Sequence, residues 1–140
     1  MHPILTRFNE FYRQLDAHNL GGLADLYSKD VTFCDPVHCL NGLDTLQHYF
    51  EDLMQNLDDC RFDIEHTLEQ DGEAYVRWVM IFHHPRINKG QAIHVPGVSH
   101  LKFAEQVYYH RDYFDLGAML YEHLPLLGAI IRKIKNKLAQ

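Results

Sequence analysis

An α+β fold is predicted by three features of this 140-residue chain. Apolar residues recur at helical spacing up to Leu57, the pattern changes to alternation at Cys60, and alternating segments then run on to Phe114. Helices first and an antiparallel sheet after them define the class. The length suits one domain, residues 1–140, that buries about two-thirds of its unfolded surface. With 46% hydrophobic residues, a packed core is expected.

Taken in order, Ile4, Phe8, Phe11, Tyr12 and Leu15 predict an amphipathic helix over 3–17. Leu20, Leu23, Leu26 and Tyr27 continue as a second, short helix after the break at His18-Asn19. A strand at 31–35 follows. Leu43, Leu46, Phe50, Leu53 and Leu57 mark a third helix opening at Gly42. Phe62, Ile64, His66 and Leu68 alternate with polar residues as a half-buried strand. Past the turn Gln70-Asp71-Gly72, the run AYVRWVMIFHH is apolar on both faces apart from Arg77 and reads as a central strand. Residues 85–97 carry Pro85, Gly90, Pro96 and Gly97 and read as a loop or an irregular hairpin connection, before strands at 98–104 and 107–114. The tail, 116–138, is a C-terminal helical extension interrupted at Pro125.

Composition excludes several functions. A net charge of −6 argues against a nucleic-acid partner. The opening MHPILTRF has no apolar signal-like core, and no run is long enough for a membrane span, so a cytoplasmic setting is expected. Cys34, Cys39 and Cys60 are an odd count that fits reduced thiols, with Cys34 and Cys39 as small apolar fillers. None of the eleven histidines stands in a metal-ligand spacing, and no glycine-rich phosphate loop precedes a helix. Neither metal nor cofactor is expected.

The segment Asp30 to Gly42, DVTFCDPVHCLNG, carries the strongest chemical signal. Pro36 fixes its own φ and pushes Asp35 towards an extended conformation, so the carboxylate leaves a strand end at a defined angle. Among apolar neighbours such an acid tends towards a raised proton affinity, as a general base near neutral pH requires. The alternative is that Asp35 only turns the chain before the helix.

The order of elements and the Asp35 turn resemble the cone-shaped fold of nuclear transport factor 2 (NTF2-like), ketosteroid isomerase and the SnoaL-like polyketide cyclases. The isomerase pattern D-A-T-V-E-D-P-V-G is similar to Asp30-Val31-Thr32-Phe33-Cys34-Asp35-Pro36-Val37 after Tyr27, and I-D-H-F-R-F is similar to Val98-Ser99-His100-Leu101-Lys102-Phe103. The resemblance implies a curved antiparallel sheet wrapped over N-terminal helices, a general base at Asp35, and a homodimer through the sheet's outer face. It also implies an oxyanion hole built from a tyrosine and a protonated aspartic acid. Those two positions fall on Phe11 and Ser99. Tyr12 is adjacent, but one residue along a helix turns a side chain by about 100°. Losing one oxyanion donor costs about 2.7–4 kcal/mol of transition-state stabilisation, so the isomerase's dienolate chemistry is not expected.

The last strand, VYYHRDYFD, offers something else. Alternation places His110, Asp112 and Phe114 inward, facing Val76, Trp78, Met80 and Phe82. Asp35, His110 and Asp112 are therefore the candidate catalytic group. Phe11, His38, Trp78, Met80, Ser99 and Phe114 are the candidate ligand-binding residues, with His38 at the rim. Asp115, near which the resemblance puts a cyclase aspartate, rivals Asp112; a helix N-cap role for Asp115 favours Asp112. The expected partner is a small hydrophobic ligand, handled by acid–base catalysis. A non-catalytic ligand-binding or protein-interaction module is the alternative. Third is a limonene-type epoxide hydrolase, for which Arg77 lies on the wrong side of its strand. In the tail, Leu127, Ile130, Ile131, Ile134 and Leu138 form a stripe beside Arg132, Lys133, Lys135 and Lys137. Packing of that stripe on its own domain is preferred over contact with a membrane surface.

Overall fold

Pro3 opens helix α1 (Pro3–Arg13) at a position where a helix has no use for the missing N–H. His2 caps it, Nδ1 accepting the Ile4 N–H at 3.1 Å. This computed structural model describes residues 1–16, 18–57, 59–119 and 125–139, without the side chains of 125–127. Helix α1 ends at Arg13 and not at 17: the Gln14 N–H folds back onto the Glu10 and Phe11 carbonyls. Leu15 still reaches the core from outside the helix. After a 3-10 turn (Leu20–Gly22), α2 (Leu23–Leu26) is shorter than expected, because Tyr27 begins the first strand.

Strand β1 (Tyr27–Cys34) turns back through the Asp35 loop to β2 (Cys39–Asn41), a strand the sequence pattern did not reveal. Three residues are too few to display alternation. Gly42, at φ +94°, takes the backbone into the left-handed region and delivers helix α3 (Leu43–Asn56), as expected. Helix α3 buries Leu46 and Phe50. Each such side chain contributes about 1.5–3 kcal/mol over leaving it exposed.

Strands β3 (Asp59–Gln70) and β4 (Glu73–His83) are joined by Asp71 and Gly72, both at positive φ, a hairpin turn whose twist matches its strands. Strands β5 (Ile93–Phe103) and β6 (Val107–Phe114) complete a six-stranded sheet of order β2-β1-β6-β5-β4-β3. Its neighbours are antiparallel except β1 and β6, which run parallel. The expectation of a loop over 85–97 fails for its last five residues, which belong to β5. Strand β6 ends with Phe114 opposite Gly97, so Pro96 sits where β5 has no neighbour on that side. A proline is tolerated at such an edge.

The thiol expectation also needs correction. Cys34 and Cys39, direct partners across β1 and β2, are joined as a disulfide, and only Cys34 is buried. Cys60 alone is a free thiol, and burial pushes its pKa up to about 12.

Helix α4 (Leu116–Met119) follows β6, and α5 (Pro125–Leu138) closes the chain; residues 120–124 of the expected extension lie outside the described residues. Of the apolar stripe, Ile130, Ile134 and Leu138 are exposed and Ile131 is half-buried, so packing on its own domain does not cover those three; the Leu127 side chain lies outside the described residues. No helix among the described residues is long and apolar enough to cross a membrane.

Candidate active site

The concave face of the sheet meets α1 and α3 around a cavity of about 40 Å³. Seven aromatic rings, two methionines and Leu53 line it, together with two carboxylates, Asp35 and Asp112. No lysine or arginine is among the lining residues. The space holds a few waters, far short of the roughly 300–1,000 Å³ of a drug-sized site.

Asp35 arrives from the end of β1, its side chain only 5% exposed. Its Oδ1 accepts the backbone N–H groups of Val37 (2.8 Å) and His38 (2.7 Å). This is the turn-capping role, and it occupies one oxygen. Oδ2 accepts the Tyr49 hydroxyl at 2.8 Å. Burial, then the Asp35 charge, holds the Tyr49 phenol far above its usual range, so it remains a donor. The purely apolar setting expected for Asp35 is therefore corrected: three donors surround the carboxylate.

Asp112 is held differently. Alternation along β6 turns His110, Asp112 and Phe114 inward, opposite Leu101, Ser99 and Gly97 of β5. Asp112 Oδ1 receives His110 Nε2 at 2.6 Å and the Ser99 hydroxyl at 2.5 Å. Ser99 Oγ in turn accepts the Trp78 indole N–H at 2.9 Å. Behind His110, 1% exposed, Nδ1 meets the Tyr27 hydroxyl at 2.7 Å, and Tyr27 meets Tyr12 at 2.6 Å. Burial holds the Tyr12 and Tyr27 phenols protonated well above their usual range, and the Asp112 charge adds to this in both. A carboxylate only accepts, so Nε2–H donates to Asp112; with a neutral imidazole, Tyr27 donates to Nδ1 and Tyr12 to Tyr27. Two donor chains converge on one carboxylate oxygen, while Oδ2 accepts nothing among the described residues.

Asp115 lies outside this group. It caps α4, accepting the Ala118 N–H at 3.2 Å, and pairs with Lys135, whose hydrogen bond holds its carboxyl below the usual range. Trp78, Met80 and Phe114 line the cavity. His38 is absent from the lining; its side chain, 50% exposed, stands 3.5 Å from Asp35 and meets the Tyr49 ring edge-on. Two further expected ligand residues are corrected. Phe11 packs edge-on against Tyr12 and Phe50 and is absent from the lining, whereas Tyr12 faces the cavity. One residue along α1 turns the side chain by about 100°, which separates the two. Ser99 is buried behind Asp112 and orients it without lining the cavity.

Sequence reasoning missed Tyr27, Tyr49 and Gly97. A Cβ at Gly97 would stand 2.3 Å from the Trp78 ring, so glycine is what lets the indole lie across β5. Arg77 is exposed and pairs with Glu65 at 3.4 Å, away from the cavity. No group of three or more His, Cys, Asp or Glu among the described residues is placed to hold a metal ion.

Comparisons with known proteins agree with this architecture. A family model described as a SnoaL-like domain matches residues 8–107. No curated protein matches the chain. Among solved structures, an NTF2-like protein of unknown function from Burkholderia pseudomallei superposes with TM-score 0.74 at 18% identity, covering 86% of this chain and 96% of its own. A protein of ketosteroid isomerase-like fold from Catenulispora acidiphila, in complex with trimethylamine, gives 0.71 at 16% identity, covering 84% and 89%. A candidate SnoaL-like polyketide cyclase from Shewanella putrefaciens gives 0.70 at 21% identity, covering 85% and 94%. At these identities the likeness shows the fold alone: an NTF2-like cone.

Proposed function

The chain belongs to the SnoaL-like domain family, and on that premise we propose that it is an acid–base enzyme acting on a small, largely apolar ligand held between Asp35 and Asp112. The observation that carries this reading is the convergence of two buried donor chains on Asp112 Oδ1, which fixes the carboxylate and leaves Oδ2 without a protein partner among the described residues. Asp35 is anchored through Oδ1 by two amides, and its Oδ2 accepts the Tyr49 hydroxyl. One carboxylate takes a proton from a hydroxyl or an enolisable carbonyl compound while the other returns one, within a low-dielectric site. His110 acts through Asp112 as a positioning residue; Trp78, Met80 and Phe114 are the walls.

The test is hydrogen exchange at carbon. Small carbonyl compounds incubated with the protein in D2O are expected to gain deuterium by NMR, and Asp35→Asn or Asp112→Asn to slow this by about 10²–10⁴-fold, the usual worth of a positioned acid or base. Exchange unaltered in both variants would end the proposal.

A second reading has its own support. Aromatic faces attract cations, and here seven rings and two carboxylates line a cavity without a lysine or arginine. The Catenulispora relative was solved with trimethylamine. A non-catalytic binder of small alkylammonium ions accounts for these features equally. Calorimetry with trimethylammonium separates the readings: binding without any deuterium exchange across the carbonyl panel favours the binder. The outer face of the sheet, with Tyr75 and Tyr113 exposed, is where we place a second copy of the chain. A sedimentation mass of one chain would remove that assignment.

A further inference from the structure

We propose that α5 is a surface-docking helix that lies on an anionic lipid bilayer, apolar side down. At 14 residues it is about 21 Å long, too short to span a bilayer and long enough to lie on one.

Its side chains are arranged for that environment. At about 100° per residue, positions 127, 130, 131, 134 and 138 fall within an arc of about 100°. Ile130, Ile134 and Leu138 in that arc are 49%, 54% and 80% exposed. Lys133 and Lys137 flank one side of it, Lys135 and Arg132 the other. Basic side chains along both edges of an apolar stripe reach headgroups while the stripe enters the acyl boundary.

Charge selects the occupant. Residues 125–140 contain four cations and no acid, and the whole chain carries −6, so residues 1–124 carry −10. A negative surface attracts the helix and repels the rest, which orients the molecule. A second copy is a poor occupant, because apposing two such helices brings four cations against four. Among the described residues, its own domain leaves Ile130, Ile134 and Leu138 exposed and meets α5 at the Lys135–Asp115 pair at the end of β6. That pair places the helix beside α4, whose Met119 lines the cavity. The proposal does not depend on any chemistry at Asp35 or Asp112.

Flotation with vesicles is the test, using the full chain. The protein is expected to float with vesicles containing phosphatidylglycerol and to stay behind with pure phosphatidylcholine, with binding falling at least tenfold in high salt. Ile134→Asp is expected to lower binding at least tenfold, and Lys133→Gln with Lys137→Gln to lower it on anionic vesicles. An unchanged thermal unfolding curve for each variant establishes that the fold is retained. Absence of flotation on anionic vesicles overturns the proposal. So does flotation that Ile134→Asp leaves untouched, or concentration-dependent self-association abolished by the same variant in place of vesicle binding.

Discussion

The turn that carries Asp35 and the strand that carries Asp112 present similar carboxylates to one cavity by opposite means. Asp35 is held by neighbours: two amides two and three residues ahead, and Tyr49 fourteen ahead. Asp112 is held by the assembled fold. Its nearest donor, His110, is only two residues away, but His110 depends on Tyr27 across 83 residues, and Ser99 is tied to Trp78 across 21. A locally built acid keeps its geometry when distant packing changes. A tertiary one loses it when any of four elements shifts.

The largest expected effect comes from alkali. Tyr12 and Tyr27 behind Asp112, and Tyr49 beside Asp35, all have folded pKa values above the unfolded value of about 10. A raised folded value means their contribution is whole below about pH 10 and is lost as pH climbs towards the folded values. Phenolate absorbance is expected to show no more than five of the eight tyrosines ionising before cooperative unfolding. All eight titrating in the folded protein would contradict the buried network.

Next is His110→Ala, which leaves Tyr27 and Asp112 each without a partner and opens a hole in the core. A loss of about 3–5 kcal/mol is expected from chemical denaturation. Gly97→Ala should cost about 1–3 kcal/mol, because the new methyl must displace the indole. Trp78 is the sole tryptophan, so its emission reports the displacement directly; an unmoved spectrum would count against the tight packing. Tyr49→Phe is expected to be mildest, about 1 kcal/mol, since both backbone donors to Asp35 remain. If Tyr49→Phe proved as damaging as His110→Ala, the contrast between the two carboxylates would fail.

The same contrast accounts for what was legible in the sequence. Asp35 and its turn could be read because Pro36 and the neighbouring amides act within a few residues. Inward placement of His110, Asp112 and Phe114 followed from period-two alternation, and the strand bounds 107–114 were met. The apolar spacing makes Tyr27 a helix end, since nothing local records that its hydroxyl meets a histidine on a neighbouring strand. Tyr12 and Phe11 both lie near the apolar face of α1, and one residue of phase, which sequence spacing does not fix, decides which of them faces the cavity. Gly97 read as a loop signal, and only the position of Trp78 on the adjacent strand explains it. The Cys34–Cys39 pairing depends on β2, which is too short to announce itself.

Both carboxylates facing one ligand is the central claim, and carbon-13 NMR of the aspartate side-chain carboxyls tests it most directly. Titration with trimethylammonium, or with a small carbonyl compound that undergoes exchange, should move the Asp35 and Asp112 signals together along one binding curve while Asp115 stays still. A ligand that moves only one of the two, or moves them with different dissociation constants, would contradict the account.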